Sequence, residues 1–161
     1  MGDNAKNSRR ERENFERFTK AAGLDVLPNS IESREPPEPD ILCSIEGRGP
    51  VAFELVELVD PSYAEMESIA LRGRQARSVW YGKSPLDCVR MKCRDRSYPM
   101  QHPTELVVCA GESELELASP VDPTVADRAQ QLLDFSVFQR VWVARLTESG
   151  DAIWLKLERT K

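Results

Sequence analysis

Residues 39–59 read PDILCSIEGRGPVAFELVELV, and they describe two strands joined by a turn. Asp40 to Ile45 is one apolar run and Val51 to Val59 is the other. Glu46-Gly47-Arg48-Gly49-Pro50 lies between them and carries turn residues. Both runs suit a sheet covered on its two faces. Three acids punctuate them: Asp40 at the start of the first strand, Glu54 and Glu57 inside the second. A carboxylate within an apolar strand is costly unless it is paired or holds a cation. Side chains alternate along a strand, so Glu54 and Glu57 face opposite sides unless a bulge intervenes. One of the two is therefore expected to join Asp40. The plainer alternative is a strand with one face open to solvent, on which both glutamates are ordinary.

Upstream, residues 1–8 read as a flexible tail, and residues 9–161 as a single domain. Ser8 is a good N-cap for a helix running to Ala22, with Phe15, Phe18 and Ala22 on its apolar face and Gly23 ending it. Leu24 to Leu27 suits a short strand, and Asn29 to Pro39, rich in Pro and Glu, a loop. Downstream, Asp60-Pro61 opens a helix in which Met66, Ile69, Ala70, Gly73, Ala76 and Trp80 recur at helical spacing, ending near Tyr81-Gly82. Residues 83–103 read as irregular and basic. Glu105 to Ala110 is a strand, and Asp122-Pro123 starts a helix with Val125, Ala129, Leu132, Leu133 and Val137 as its buried stripe. Arg140 to Leu146 and Ala152 to Leu157 pair around Glu148-Ser-Gly-Asp151 as a C-terminal β-hairpin. This order predicts an α/β fold, a mixed central sheet flanked by helices.

Bulk composition narrows the chemistry. The chain has 161 residues, 40% of them apolar, enough for a core without disulfide or metal staples. No run approaches a membrane span, and the polar N-terminus lacks the apolar centre of a signal peptide. Cys43 and Cys109 sit in apolar runs, and Cys88 and Cys93 lack zinc spacing, so a reduced, cytoplasmic setting is expected. The sole histidine, His102, rules out a two-histidine zinc site and reads as a loop residue. No phosphate-binding glycine loop is present.

The net charge of −5 hides a division. Pro28 to Ala70 holds ten acids and two bases; Leu71 to Arg96 holds eight bases and two acids. Magnesium and manganese take hard oxygen ligands, and a phosphodiester hydrolase uses them with two or three converging carboxylates. An acidic centre beside a basic strip fits cleavage of a polyanion. Arg72, Arg74, Lys83, Arg90, Lys92, Arg94 and Arg96 are the candidate nucleic-acid contacts; Trp80, Tyr81 and Tyr98 are candidates to stack on bases, with a core role the alternative for Trp80.

Pro39-Asp40, followed fourteen residues later by Glu54 on an apolar strand, resembles the signature of the PD-(D/E)XK nucleases, the class of restriction endonucleases and Holliday-junction resolvases. The likeness runs from about Glu11 to Leu146. It implies a restriction-endonuclease-like αβββαβ core and a Mg²⁺- or Mn²⁺-dependent endonuclease acting on DNA. Asp40 and Glu54 would hold the metal, with Glu57 as alternate ligand. Glu13 would be a further acid from the first helix, with Glu16 second. The family's lysine belongs two residues after the acid, where this chain has Val56 or Val59. Some members borrow a basic residue from the following helix; Arg72, Arg74 and Lys83 are candidates for that part. The missing lysine also motivates a catalytically inactive nuclease-fold protein that binds nucleic acid or protein. A third reading is an acidic partner-binding subunit using the surface from Asp40 to Glu67. A homo-oligomer is left open.

Overall fold

A computed structural model describes residues 2–58, 79–80, 85–94, 98, 101–111 and 123–160. Its elements run α1 (Gly2–Ala21), β1 (Glu32–Ser33), β2 (Ile41–Ile45), β3 (Gly49–Leu58), β4 (Val79–Trp80), α2 (Pro85–Arg94), β5 (Thr104–Ala110), α3 (Pro123–Asp134), β6 (Arg140–Thr147) and β7 (Gly150–Glu158). The strands make one mixed sheet ordered β1-β2-β3-β5-β6-β7, with β4 also pairing β3. β1, β2 and β3 form an antiparallel meander; β3, β5 and β6 are parallel; β6 and β7 close with an antiparallel hairpin. The chain is thus α/β, with the C-terminal hairpin its sequence predicts. Among the described residues no helix is long and apolar enough to cross a membrane.

The alternation of β3 builds two cores. Phe53 and Leu55 face α1, where Phe15 and Phe18 pack on them and on Trp142. Val56 and Leu58 face the opposite way, toward Cys88, Val89 and Cys93 of α2 and Leu133 of α3. Gly47 and Gly49 take φ of 73° and 78° in the β2–β3 turn, a conformation costly for side-chain-bearing residues. Arg17 of α1 clasps Asp151 at the β6–β7 hairpin with two hydrogen bonds, of 3.0 and 2.6 Å.

Four local expectations change. α1 begins at Gly2, ahead of Ser8, so residues counted with the tail are helical; nothing between Asp3 and Ala22 breaks a helix. Leu24 to Leu27 makes only one bridge, Val26 to Ile45, and β1 lies inside the predicted loop. Val79–Trp80 is a strand parallel to β3, not the end of a helix, because a β-branched and an aromatic residue meet an open strand edge there. The rest of that predicted helix, including Met66, Ile69, Ala70, Gly73 and Ala76, lies outside the described residues. The segment read as irregular contains α2, with Pro85 at its first position and Cys88, Val89 and Cys93 buried on one side.

Candidate functional site

β3 is the longest strand, and its two edges differ. β5 pairs with it from Ala52 to Leu58. On the other edge β2 pairs only from Gly49 to Phe53, and β4 pairs at Glu57 and Leu58. Between them, at Glu54 to Val56, no backbone partner stands on that edge among the described residues. Pro39, which has no N–H to give, ends the β2 ladder, and Asp40 fills the gap with its side chain. Asp40 Oδ2 accepts the Leu55 N–H at 2.8 Å, taking the place of a strand carbonyl.

The register that pairs Ile41 with Phe53 puts Asp40 opposite Glu54, one step further on. Glu54 is 6% exposed. Its Oε1 accepts two hydrogen bonds, from Lys92 Nζ at 2.6 Å and from the Tyr98 hydroxyl at 2.8 Å. Lys92 also donates to the Tyr98 hydroxyl at 3.3 Å. Among the described residues, Glu54 Oε2 and Asp40 Oδ1 accept no hydrogen bond. The carboxyl of Asp40 is pushed up to about 7, first by burial and then by the neighbouring negative charge of Glu54. The Leu55 N–H and Lys92 offset part of this, while Glu11 on α1 adds to it. Two acids and one ammonium thus meet at the gap in the β3 edge, with an excess of negative charge and, among the described residues, two carboxylate oxygens without a hydrogen bond. Such a donor set suits a hard divalent cation that keeps several waters, for which one or two carboxylates suffice. No group of three or more His, Cys, Asp or Glu side chains able to hold a metal is present among the described residues.

The other sequence candidates fall elsewhere. Glu57 lies on the α1 side of β3, as alternation requires, and meets Arg10 at 2.5 Å. Glu13 and Glu16 face solvent on α1 and pair with Arg9 and Arg12. The α1 acid that Asp40 feels is Glu11. It continues the Phe15–Phe18 stripe four and seven residues upstream, and that spacing was the available signal. Of the basic candidates, Lys92 turns inward to Glu54, while Arg90 and Arg94 of the same helix are exposed. Arg72, Arg74, Lys83 and Arg96, like Tyr81, lie outside the described residues. Tyr98 is buried and its ring packs against Phe138, centroids 5.7 Å apart, rather than standing free for a base.

A second buried acid stands at the start of β5. Glu105 is fully buried, with Oε1 held by Arg48 and by Arg140 at 2.9 Å, and Oε2 by Trp142 Nε1 at 2.8 Å. All four cysteines are free and buried. Burial pushes the thiols of Cys43 and Cys93 up to about 11 and that of Cys109 to about 12, which leaves them protonated and unreactive.

Comparison with protein-family models, curated proteins and solved structures found no match.

Proposed function

We propose that this protein is a divalent-metal-dependent nuclease of the PD-(D/E)XK class, acting on DNA with Mg²⁺ or Mn²⁺. The observation that carries the reading is the meeting of Asp40, Glu54 and Lys92 at one gap in the β3 edge. The order of the described elements supports it: a helix, an antiparallel three-strand meander, the two-residue strand β4, a helix, then a strand parallel to the third, which apart from β4 follows the order of a restriction-endonuclease-like core. Lys92 supplies what position 56 lacks. Val56 is buried in the α2 core and offers no charge, but α2 crosses that face and carries an ammonium to Glu54.

In this reading Asp40 and Glu54 hold the ion. When bound, it would activate water and neutralise charge on the phosphoryl group. The protein's own part is positioning and charge. The Leu55 N–H orients the Asp40 carboxylate, and Lys92 stands ready to stabilise the charge that builds on phosphate oxygens. Arg90 and Arg94 on the exposed side of α2 supply flanking positive charge for the DNA backbone. The test is cleavage of plasmid and single-stranded DNA in Mg²⁺ and in Mn²⁺. Wild type is expected to cut, Asp40→Ala to fall by about 10³-fold or more, and Lys92→Ala by about 10²-fold. Equal cutting by wild type and Asp40→Ala would overturn the assignment.

The Glu54–Lys92 ion pair also supports a second reading, a nuclease-fold protein that binds DNA without cutting it. It predicts DNA affinity that Arg90→Ala and Arg94→Ala weaken, with no cleavage in either metal.

A further inference from the structure

We infer that Tyr98 is a positioning residue that commits one oxygen of Glu54 to the protein and leaves the other for the ligand shared with Asp40. This rests on the nuclease reading and adds to it a residue outside the family signature. Lys92 alone cannot make the choice: its ammonium sits on a flexible four-carbon stem and could bridge to either oxygen of Glu54 or swing to Asp40. Tyr98 has no such freedom. It is 9% exposed, belongs to the core beside Leu106 and Leu133, and packs its ring against Phe138. A hydroxyl on so fixed a ring approaches Glu54 from one direction, and it donates to Oε1. The same hydroxyl accepts from Lys92 Nζ, which draws the ammonium to the Oε1 side as well. Both protein donors therefore crowd one oxygen. A charge-neutral donor does this without cancelling the acids' attraction for a cation, as a second lysine would.

The geometry is a choice and not a necessity of burying a glutamate beside an aromatic donor. At Glu105 the indole N–H of Trp142 bonds Oε2 while the arginines take Oε1, so both oxygens are consumed. At Glu54 the aromatic donor doubles up on the oxygen already used.

The experiment compares wild type, Tyr98→Phe and Phe138→Leu by Mn²⁺ calorimetry, by steady-state DNA cleavage and by thermal unfolding. Tyr98→Phe keeps the ring and deletes only the hydroxyl. It is expected to weaken Mn²⁺ binding and lower kcat by about 10-fold or more, with KM for DNA and the unfolding midpoint near wild type. Phe138→Leu removes the ring that fixes Tyr98, and should lower both the midpoint and the Mn²⁺ affinity of the folded protein. Unchanged Mn²⁺ affinity and kcat in Tyr98→Phe, beside an active wild type, would overturn the role of Tyr98 and leave the nuclease reading standing. A wild type that neither binds Mn²⁺ nor cuts DNA would remove the nuclease reading, and this inference with it.

Discussion

Glu54 and Glu105 stand on neighbouring strands of one sheet, both nearly or wholly out of water. Each meets at least one cation and one aromatic donor. Around Glu105 two arginines face one acid, every carboxylate oxygen is bonded, and nothing is left for a ligand to satisfy. Around Glu54 two acids face one lysine, and the protein leaves an oxygen on each acid without a hydrogen bond among the described residues. Burial of a charged group is thus no mark of function by itself. What separates a fastening from a site is whether the protein has already supplied the counter-charge. That difference can be tested from both ends.

The largest effect is expected on stability. Glu105→Gln removes the buried charge that Arg48 and Arg140 bond; because Arg140 keeps Glu158 and both arginines are partly exposed, the loss should be about 3 kcal/mol, the low end for a broken buried ion pair. Glu54→Gln relieves repulsion with Asp40 while keeping a hydrogen-bond acceptor, and should change stability by less than about 1 kcal/mol. Urea denaturation of the two variants measures this directly. A Glu54→Gln loss as large as that of Glu105→Gln would erase the distinction.

A smaller effect is expected from pH. Asp40 holds its proton more tightly in the folded protein than in the unfolded chain, because its carboxyl is raised to about 7. The stabilising contribution of that bound proton is therefore complete below about pH 4 and is lost as pH climbs toward 7. Asp40→Asn has no such titration. Its stability should match wild type near pH 4 and exceed it by about 1–3 kcal/mol at pH 8. Thermal melts across that range would show the two curves diverging; parallel curves would mean that burial and Glu54 do not raise the Asp40 carboxyl.

The smallest effect is expected at Glu57. Arg10 and Glu57 are both partly exposed, so water screens their attraction. Arg10→Ala should shift stability by less than about 1 kcal/mol and leave metal binding unchanged. A loss of metal binding in that variant would draw Glu57 into the site.

Much of the frame was legible from residues 39–59. Apolar runs, a turn with two glycines, and an acid at the head of the first run and in the second are local signals, and the sheet uses them as expected. The alternation rule also put Glu54 and Glu57 on opposite faces. Lys92 was legible only as one of several basic residues. Its segment is crowded with charge, and the stripe of Cys88, Val89 and Cys93 is too short to announce α2 against that background. Glu11 lies on the helical face of Phe15 and Phe18 and acts on Asp40, whereas Glu13, the family's positional match, pairs with Arg9 in solvent. The fastening at Glu105 joins Arg48, Arg140 and Trp142 from a turn and a distant strand, a tertiary arrangement with no short-range trace in sequence. Trp80 illustrates the opposite error. Its spacing fits a helix, but the open edge of β3 claims it as a strand.

Asp40 and Glu54 together carry more negative charge than Lys92 balances, which leaves room for one bound cation. Calorimetric titration of Mn²⁺ into wild type and Glu54→Gln at pH 8 tests this without any substrate. One ion is expected to bind per wild-type chain and none to the variant. An isotherm without heat for the wild type, or one that Glu54→Gln leaves unaltered, would contradict it.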